Sequence, residues 1–345
     1  MNNKGPKKRR RIIVAAIIVT VVIVVPAVFF TVLSLHNAAA SREWLSRPAR
    51  PGSLVDIGGR SLYCTVRGTG RPAVIIEADL GSTSPEWWQI QERLSGRATV
   101  VTYDRAGYGW SGSAPLPRSL DDITGDMVSL LSALGLKGPC VFIGQGLGAL
   151  YVQYYALKNP GKTSGLVLVS PVTVDYPRLK KELSPVIYKN LLDRTPGLKI
   201  TSFLAGLGVI RFFKAVPYLN VPPEVRPFVV EQYSLEKSFN AMLDEYAAGL
   251  KKNIASVIKA GSFTRRPVTV VHHSPERYTK ELMSLSLSYD EAGMIEKLYD
   301  RMDRAVVSHS SSGRLLYSGK AVKDLQFNDP DLIIQAAEDM IKRAR

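Results

Sequence analysis

The sequence predicts an α/β fold with a mainly parallel sheet of eight strands and flanking helices. After residue 50, short β-rich runs alternate with helical segments, as in a parallel sheet covered by helices. Residues 173–262 interrupt this alternation with a helical stretch, and an uncharged apolar stretch precedes the whole pattern. A chain of 345 residues with 46% hydrophobic content is long enough for one large core. We therefore expect one split α/β domain behind an apolar N-terminal helix.

The predicted strands fall on both sides of the interruption. They are residues 53–57, 61–67, 73–77, 99–103, 140–143, 166–169, 267–272 and 314–317. Gly58 and Gly59 favour a tight hairpin between the first two strands, so the sheet is expected to begin antiparallel. A final helix is expected to begin near Pro330, because proline suits the first helical turn. Residues 51–172 and 263–345 thus form the two parts of the predicted core.

The interrupting segment, residues 173–262, is predicted to be an inserted helical lid. Prolines cut it into short pieces, at Pro177, Pro185, Pro196, Pro217, Pro222, Pro223 and Pro227. Its apolar residues are expected to cover the edge of the sheet as short helices. These residues are Phe203, Leu204, Leu207, Phe212 and Phe213.

The N-terminus predicts a membrane anchor. Residues 1–11 form a basic tail, residues 12–35 are free of charge and long enough to cross a bilayer, and residues 36–50 form a linker. The basic flank predicts a cytoplasmic N-terminus and a folded domain on the far side of the cell membrane. The alternative is a cleaved signal peptide, because Ala38 and Ala40 form an A-x-A pattern, although its apolar region would be unusually long.

The remaining composition limits the classes of partner. The formal net charge of +15 includes six charges in the tail, and no basic motif with interleaved aromatic residues is present, so no nucleic-acid partner is expected. Cys64 and Cys140 lack the spacing of a metal or redox motif and fall on separate predicted strands, which favours packed thiols.

Four segments then carry a resemblance to a known family. Residues 103–111 match the D-R-x-G-x-G-x-S turn, residues 139–148 form a strand and tight turn, residues 165–169 form the next strand, and residues 324–332 match a C-terminal segment. Together they resemble the α/β-hydrolase fold superfamily, of the AB hydrolase-1 type. The resemblance implies a nucleophile, a histidine and an acid at one edge of the sheet.

Two catalytic positions depart from this pattern. The nucleophile turn G-x-S-x-G is here residues 144–148 with Gly146 at the serine position, where it offers no attacking group. The resemblance places the histidine at Lys323, and a lysine with an ordinary pKa of about 10.4 stays protonated at neutral pH. The alternative, a glycine-rich turn of a dinucleotide-binding fold, would have to follow the first strand of its unit, which this turn does not.

The rest of the predicted site is weaker. Backbone N–H groups of Leu80 and Leu147 match the oxyanion hole, but Asp79 stands where relatives carry glycine and would repel an oxyanion. His272 and His273 are weak candidates for proton transfer. No acid is assigned, since Asp175, Glu276 and Glu281 are expected to be loop charges. Asp79, Gln145, Trp87 and Trp88 are predicted to line the pocket, with no metal and no cofactor.

These departures predict a catalytically inactive pseudoenzyme at the membrane that binds a small apolar ligand or a protein partner. The alternative is an active hydrolase of esters, lactones or amides with an unusual nucleophile or directly activated water. An engineered inactive variant explains Gly146 but leaves Lys323 unexplained.

Overall fold

The computed structural model describes residues 5–215, 221–248, 250–261 and 266–344. Lys4 of the predicted tail, Pro217 of the lid and the predicted lid end at residue 262 lie outside the described residues. The strands are β1 (Ser53–Asp56), β2 (Ser61–Arg67), β3 (Val74–Glu77), β4 (Val100–Tyr103), β5 (Cys140–Gln145), β6 (Thr163–Val169), β7 (Val268–His272) and β8 (Arg314–Tyr317).

The helices follow the strands and the insertion. They are α1 (Gly5–Val19), α2 (Val25–Leu45), α3 (Trp88–Ser95), α4 (Leu120–Ala133), α5 (Gly146–Lys158), α6 (Pro177–Glu182), α7 (Pro185–Ile187), α8 (Thr195–Gly206), α9 (Val209–Phe213), α10 (Arg226–Gln232), α11 (Glu236–Leu243), α12 (Leu250–Ala260), α13 (Pro275–Ser284), α14 (Tyr289–Ser308), α15 (Leu325–Asn328) and α16 (Pro330–Ala344). Short π or 3-10 turns are Thr20–Val24, Ser84–Trp87, Pro160–Lys162, Tyr188–Leu192 and Asp244–Ala248.

The eight strands form one sheet in the order β1-β2-β4-β3-β5-β6-β7-β8. Strand β2 runs antiparallel to both of its neighbours, and the pairs from β3–β4 to β7–β8 are parallel. Ile57 N–H donates to the Arg60 carbonyl across the Gly58-Gly59 turn, and both glycines have φ of 85°. The predicted α/β-hydrolase fold with its antiparallel start is confirmed. Strand positions were recoverable from sequence because buried parallel strands read as short apolar runs.

Helices cover both faces of the sheet. Side chains of α4, α5 and α14 pack on one face, and those of α3 and α16 pack on the other. Cys64 and Cys140 are free and buried in the first of these layers, as packed thiols. Because parallel strands end at the same edge, the C-terminal ends of β3, β5, β6 and β7 meet below the helices α6–α12, which lie between β6 and β7 in the chain.

The N-terminal helix is longer than the predicted span. One apolar helix, Lys8–Leu45, has the length and composition to cross a membrane. A π-helical segment, Thr20–Val24, lies just before Pro26, whose ring nitrogen cannot donate to the helix ladder. The helix continues through Leu45, so most of the predicted linker 36–50 is helical. Residues 36–45 contact the lid, as described below. The sequence pattern did not predict this packing.

Candidate active site

The turn between β5 and α5 has the geometry of a nucleophile elbow. Gln145 is extended, and Gly146 follows at φ +51° as the first residue of α5. A Cβ on Gly148 would lie well inside 3.0 Å of the Ala78 and Glu77 carbonyl oxygens, so the helix can approach β3 only with glycine there. The sharp turn of the family is therefore retained, while its side chain is absent.

The carboxylate of Asp79 fills the space that the missing side chain would need. A Cβ on Gly146 would lie well inside 3.0 Å of all three carboxylate atoms of Asp79. Asp79 Oδ1 also accepts a hydrogen bond from Leu147 N–H at 2.7 Å. One of the two predicted oxyanion donors is thus already bound to an anion of the protein itself. The departures at the elbow and at the oxyanion loop are sterically linked, since the aspartate fits only because Gly146 has no Cβ.

A cavity of about 770 Å³ lies between this edge of the sheet and the lid. Asp79, Gln145 and the backbone donors Leu80 and Leu147 line it, as do His272 and His273. Trp87 and Trp88 do not, which corrects the prediction for both. Trp87 is fully buried in the layer below α3 and α16, and the Trp88 ring packs edge-on against Phe228 at 5.2 Å between centroids. Aromatic residues at this helix start are packing anchors.

Arg194 brings a positive charge to the same cavity. It lines the cavity while keeping exposed surface, and it directly precedes α8. Burial lowers the pKa of its guanidinium, but the charge of Asp79, and then Tyr176 and Tyr246, outweigh this and raise the pKa above its ordinary value. Burial and the Asp79 charge together raise the pKa of Asp324 to about 6. The polar end of the cavity is therefore a network of opposite charges.

His272, at the end of β7, is held between two carboxylates. Its Nδ1 lies 2.6 Å from Asp303 Oδ2 and its Nε2 lies 3.1 Å from Glu296 Oε1. Glu296 Oε2 also lies 2.6 Å from His273 Nε2, and the two imidazole rings stack at 4.0 Å between centroids. Because both ring nitrogens of His272 face carboxylate oxygens, the ring must donate from both, which is the imidazolium form.

The pKa shifts agree with that assignment. Burial lowers the pKa of His272, but hydrogen bonds to Asp303 and Glu296 outweigh it and raise the pKa to about 9. Burial raises the pKa of Glu296, but hydrogen bonds from the two histidines outweigh it and lower the pKa to about 2. Burial raises the pKa of Asp303. The proton nevertheless stays on the His272 ring, because a carboxylate oxygen faces each of its two nitrogens. A histidine already protonated at neutral pH does not act as a general base.

The sequence analysis did not predict Glu296 and Asp303, because the catalytic acid was expected in the loops that follow the strands. Asp175, Glu276 and Glu281, considered there, pair instead with Arg178, Lys280 and Lys323 respectively. Glu296 and Asp303 lie seven residues apart on α14 and so share one helix face. That face also carries the buried residues Ile295 and Met302. Two acidic residues among the buried apolar residues of one helix were the sequence feature that could have indicated them.

Lys323 lines the cavity from the segment after β8, at the position where the resemblance places the histidine. Its side chain is mostly exposed, and Nζ pairs with Glu281 of α13. The Lys323 ammonium is therefore already paired with a carboxylate at the rim of the cavity.

Three of these side chains also have the donor types of a metal site. His272, His273 and Glu296 each offer one ligand atom, and these atoms all lie within 4.8 Å of one another. Two imidazoles and a carboxylate are a common zinc set, and Asp303 on the other nitrogen of His272 would orient that ligand. The residues present can thus hold a divalent cation, and the absence of a metal stays a prediction.

The His272 cluster should make stability depend on pH. The pKa of His272 is raised from 6.5 to about 9 on folding, so its contribution is complete below pH 6.5 and is lost as pH rises through 9. In a chelating buffer, we expect the free energy of unfolding to fall by up to about 3 kcal/mol between these values, at roughly 1.4 kcal/mol per pKa unit. Denaturant melts of His272→Gln should lack this fall, and the exposed His309→Gln should keep it. A fall of equal size in both variants would contradict the assignment.

A second buried ion cluster joins the core to the lid. Arg105 Nη1 donates to Glu77 Oε1 at 2.8 Å, and its Nε and Nη2 donate to the two oxygens of Glu245 at 3.1 and 3.0 Å. The same guanidinium donates to the carbonyls of Ala78 and Asp79, at 2.6 and 3.0 Å. Since Glu245 belongs to the insertion, Arg105 fixes both the loop that carries Asp79 and the lid above it.

Comparisons with known proteins agree with this fold. The model of the Alpha/beta hydrolase family matches residues 68–310, which is more than half of the chain, so the chain belongs to that family. Epoxide hydrolase CorEH superposes with a TM-score of 0.61 at 18% identity, over 85% of this chain and 99% of that one. A laboratory-evolved variant of potato epoxide hydrolase superposes with a TM-score of 0.63 at 16% identity, over 85% and 99%. Identities this low show the fold alone.

Sequence relatives are similarly broad. An AB hydrolase superfamily protein of Gibberella zeae is 23% identical over 310 residues, covering 83% of this chain and 92% of that protein. The protein YqjL of Bacillus subtilis is 30% identical over 109 residues, which covers 32% of this chain and 43% of that one. Family membership thus rests on the whole fold, and no activity follows from these matches.

Proposed function

We propose that this is a membrane-anchored, catalytically inactive α/β-hydrolase-fold protein that binds a small, largely apolar ligand in the cavity under its lid. The observation that carries the proposal is Asp79, whose carboxylate occupies the nucleophile space beside Gly146 and accepts the Leu147 N–H. An acyl substrate would meet no serine there and a negative charge where its oxyanion must form. The cavity volume lies within the range of roughly 300–1,000 Å³ typical of small-molecule sites.

The proposed location is the cell membrane, with the folded domain extracytoplasmic. The apolar helix Lys8–Leu45 supports anchorage by its length. The basic residues before it, Lys8 to Arg11 among them, support a cytoplasmic N-terminus. A protein partner at the lid is the other occupant that the fold allows.

The test of inactivity is ester hydrolysis by matched variants. We expect wild-type protein to hydrolyse p-nitrophenyl esters no faster than Asp79→Asn or the double variant His272→Ala/His273→Ala, because an imidazolium cannot accept a proton and no serine is present. The same preparations should be stabilised in thermal melts by an apolar ligand from a panel of lipids, esters and lactones, since binding to the native state alone raises Tm. Turnover that disappears in either variant would overturn the inactive assignment.

The second candidate is a hydrolase that uses Asp79 as its nucleophile. Its carboxylate lies where the family's attacking atom belongs, and Arg194 lines the same cavity. Attack of a carboxylate oxygen on the carbonyl carbon of an ester would break the bond to the alkoxide, which leaves as the alcohol, and would form an anhydride with Asp79; water would then hydrolyse the anhydride to the product acid and the free aspartate. Loss of turnover in Asp79→Asn, with mass-spectrometric detection of an adduct on Asp79 in the wild type, would favour this candidate.

A further inference from the structure

The lid is docked onto the apolar N-terminal helix. Ser34 Oγ donates to the Gly206 carbonyl at 2.8 Å, and Asn37 Nδ2 donates to the Ala205 carbonyl at 3.1 Å. A Cβ on Gly208 would lie 2.7 Å from the Leu33 carbonyl oxygen, so the lid backbone touches the helix directly. These contacts join helix α2 to the segment between α8 and α9.

A charged side chain completes this junction. Arg211 Nε donates to Asn37 Oδ1 at 2.7 Å, and its Nη2 donates to Ser41 Oγ at 2.9 Å. Its Nη1 pairs with Glu231 of α10. Asn37 is 7% exposed, so its amide is bonded on both sides inside the contact. The junction is a specific polar interface, which fixes how the lid stands relative to the apolar helix.

The outer surface of the docked lid is apolar and exposed. Ile200 is 62% exposed, Phe203 67%, Phe212 58% and Phe213 70%. The sequence pattern had predicted that these phenylalanines cover the cavity, and their exposure corrects that prediction. We define the outer lid face by these four residues. The rings of Phe212 and Phe213 contact each other edge-on at 5.0 Å between centroids. Exposed apolar surface of this kind marks a binding surface.

The position of the outer lid face along the helix identifies what covers it. The Phe212 ring packs edge-on against Phe29 at 6.3 Å between centroids. Phe29 lies six residues before Leu35, the end of the uncharged stretch, which corresponds to about 9 Å along a helix axis. If residues 12–35 cross the hydrocarbon core, Phe212 reaches below its boundary. Immersion of roughly 5–10 Å is the usual depth of interfacial helices.

The same two helices form a wall of the cavity from their inner side. Leu198 and Thr201 of α8 and Ile210 of α9 line it. One layer of helix therefore separates the cavity from the outer lid face. With the outer lid face in a bilayer, an apolar molecule dissolved there would lie against the other side of this layer.

The polar end of the cavity restricts the head group. The residues that line the cavity include three carboxylates, Asp79, Asp303 and Asp324, and three cations, Arg194, Lys323 and the imidazolium of His272. The formal charges of these groups balance, so a charged head group would meet no net charge of opposite sign to offset its desolvation. An uncharged head group with hydroxyl donors fits better.

We propose that the outer lid face is immersed in the leaflet on the side of the folded domain, and that the cavity takes up an uncharged single-chain lipid from the bilayer through the α8–α9 layer. The uptake rests on the ligand-binding function proposed above, whereas the immersion rests only on the anchor and the lid contacts.

Site-specific fluorescence tests the immersion separately. Cys64 and Cys140 are buried, so Phe213→Cys in the full chain offers a single accessible thiol for a polarity-sensitive fluorophore. Ser311→Cys is the matched control, because Ser311 is exposed in the loop before β8, at the opposite edge of the sheet. In phosphatidylcholine nanodiscs, doxyl-labelled acyl chains should quench the probe at position 213 and leave that at 311 unchanged. Equal quenching at both sites would overturn the immersion.

Lipid loading tests the uptake. Wild-type protein should bind 1-oleoylglycerol, detected by native mass spectrometry, both from detergent and from vesicles, and should bind oleate less. Phe212→Asp/Phe213→Asp should still bind from detergent but load from vesicles at least about tenfold more slowly, because two charges oppose immersion. Ser311→Asp should load normally. Equal loading by the double variant would overturn bilayer uptake, and preference for oleate would overturn the head-group assignment. No binding by wild type from either source would overturn the ligand-binding function, while the quenching result would still decide the immersion.

Discussion

Replacing Gly146 with alanine is expected to lower the free energy of unfolding by about 2–5 kcal/mol. Two costs add at this position. Its φ of +51° is unfavourable for a residue with a Cβ, at about 1–2 kcal/mol. The new Cβ must also displace the Asp79 carboxylate, and overpacking of this kind costs about 1–3 kcal/mol. Urea unfolding of the detergent-solubilised chain, followed by tryptophan fluorescence, measures the sum.

The double variant Asp79→Gly/Gly146→Ala separates these costs. Without the carboxylate there is no collision, so adding Gly146→Ala to Asp79→Gly should cost only the backbone term of about 1–2 kcal/mol. The difference from the cost of Gly146→Ala in the wild type is the coupling energy between the two sites, which we expect to be about 1–3 kcal/mol. Gly138→Ala is the control, since a Cβ there would meet no atom within 4 Å. Strictly additive effects at positions 79 and 146 would show that the carboxylate does not occupy the nucleophile space in solution.

The same coupling bears on attempts to restore chemistry. A serine at position 146 would also displace Asp79 and would lack a base, because His272 is bonded on both ring nitrogens and Lys323 pairs with Glu281. Restoration requires at least Asp79→Gly, Gly146→Ser and Lys323→His together. In the proposed inactive protein, the departures at positions 79, 146 and 323 would therefore have to be reversed together, as expected of residues that act as one unit.

The strands, the elbow and the family segments could be predicted from sequence because they depend on local patterns. Strands β2 and β8 have the predicted bounds, and Gly146 lies at the predicted turn. The sequence shows that Asp79 stands where relatives carry glycine. Its hydrogen bond with Leu147 N–H could not be predicted, because it depends on how two loops from different strands meet. The sequence shows Glu296 and Asp303 as a polar pair on an apolar helix, but their contacts with His272 depend on how α14 packs against the end of β7.

The prediction for the apolar residues of the lid was wrong for a different reason. Hydrophobic periodicity shows that a short helix is amphipathic, but it does not say whether its apolar face meets the protein or a membrane. The sequence predicts that Phe212 and Phe213 cover the edge of the sheet as part of short apolar helices, whereas both side chains are exposed. In the proposed membrane-anchored arrangement, lipid surrounds these residues, so the usual rule for the interior no longer decides their direction.

Removing the guanidinium of Arg105 should be among the most damaging single changes in the core. Arg105→Met keeps the bulk of the side chain but leaves Glu77 and Glu245 buried without their cation, at 0% and 1% exposure of their side chains. Breaking a buried ion pair from one side costs about 3–5 kcal/mol. We expect a loss of that size in denaturant melts, together with faster proteolysis of the lid, because Glu245 ties the lid to the core.

Arg93→Met provides the matched control. Arg93 also pairs with a carboxylate, Asp331, but both side chains are exposed, and such surface pairs contribute little to stability. The triple replacement Glu77→Gln/Arg105→Met/Glu245→Gln should recover part of the loss, since it removes the unpaired buried charges along with the guanidinium. If Arg105→Met melted like Arg93→Met, the cluster would not hold the lid. The loop carrying Asp79 would then need another support, because the Ala78 and Asp79 carbonyls both accept from this guanidinium.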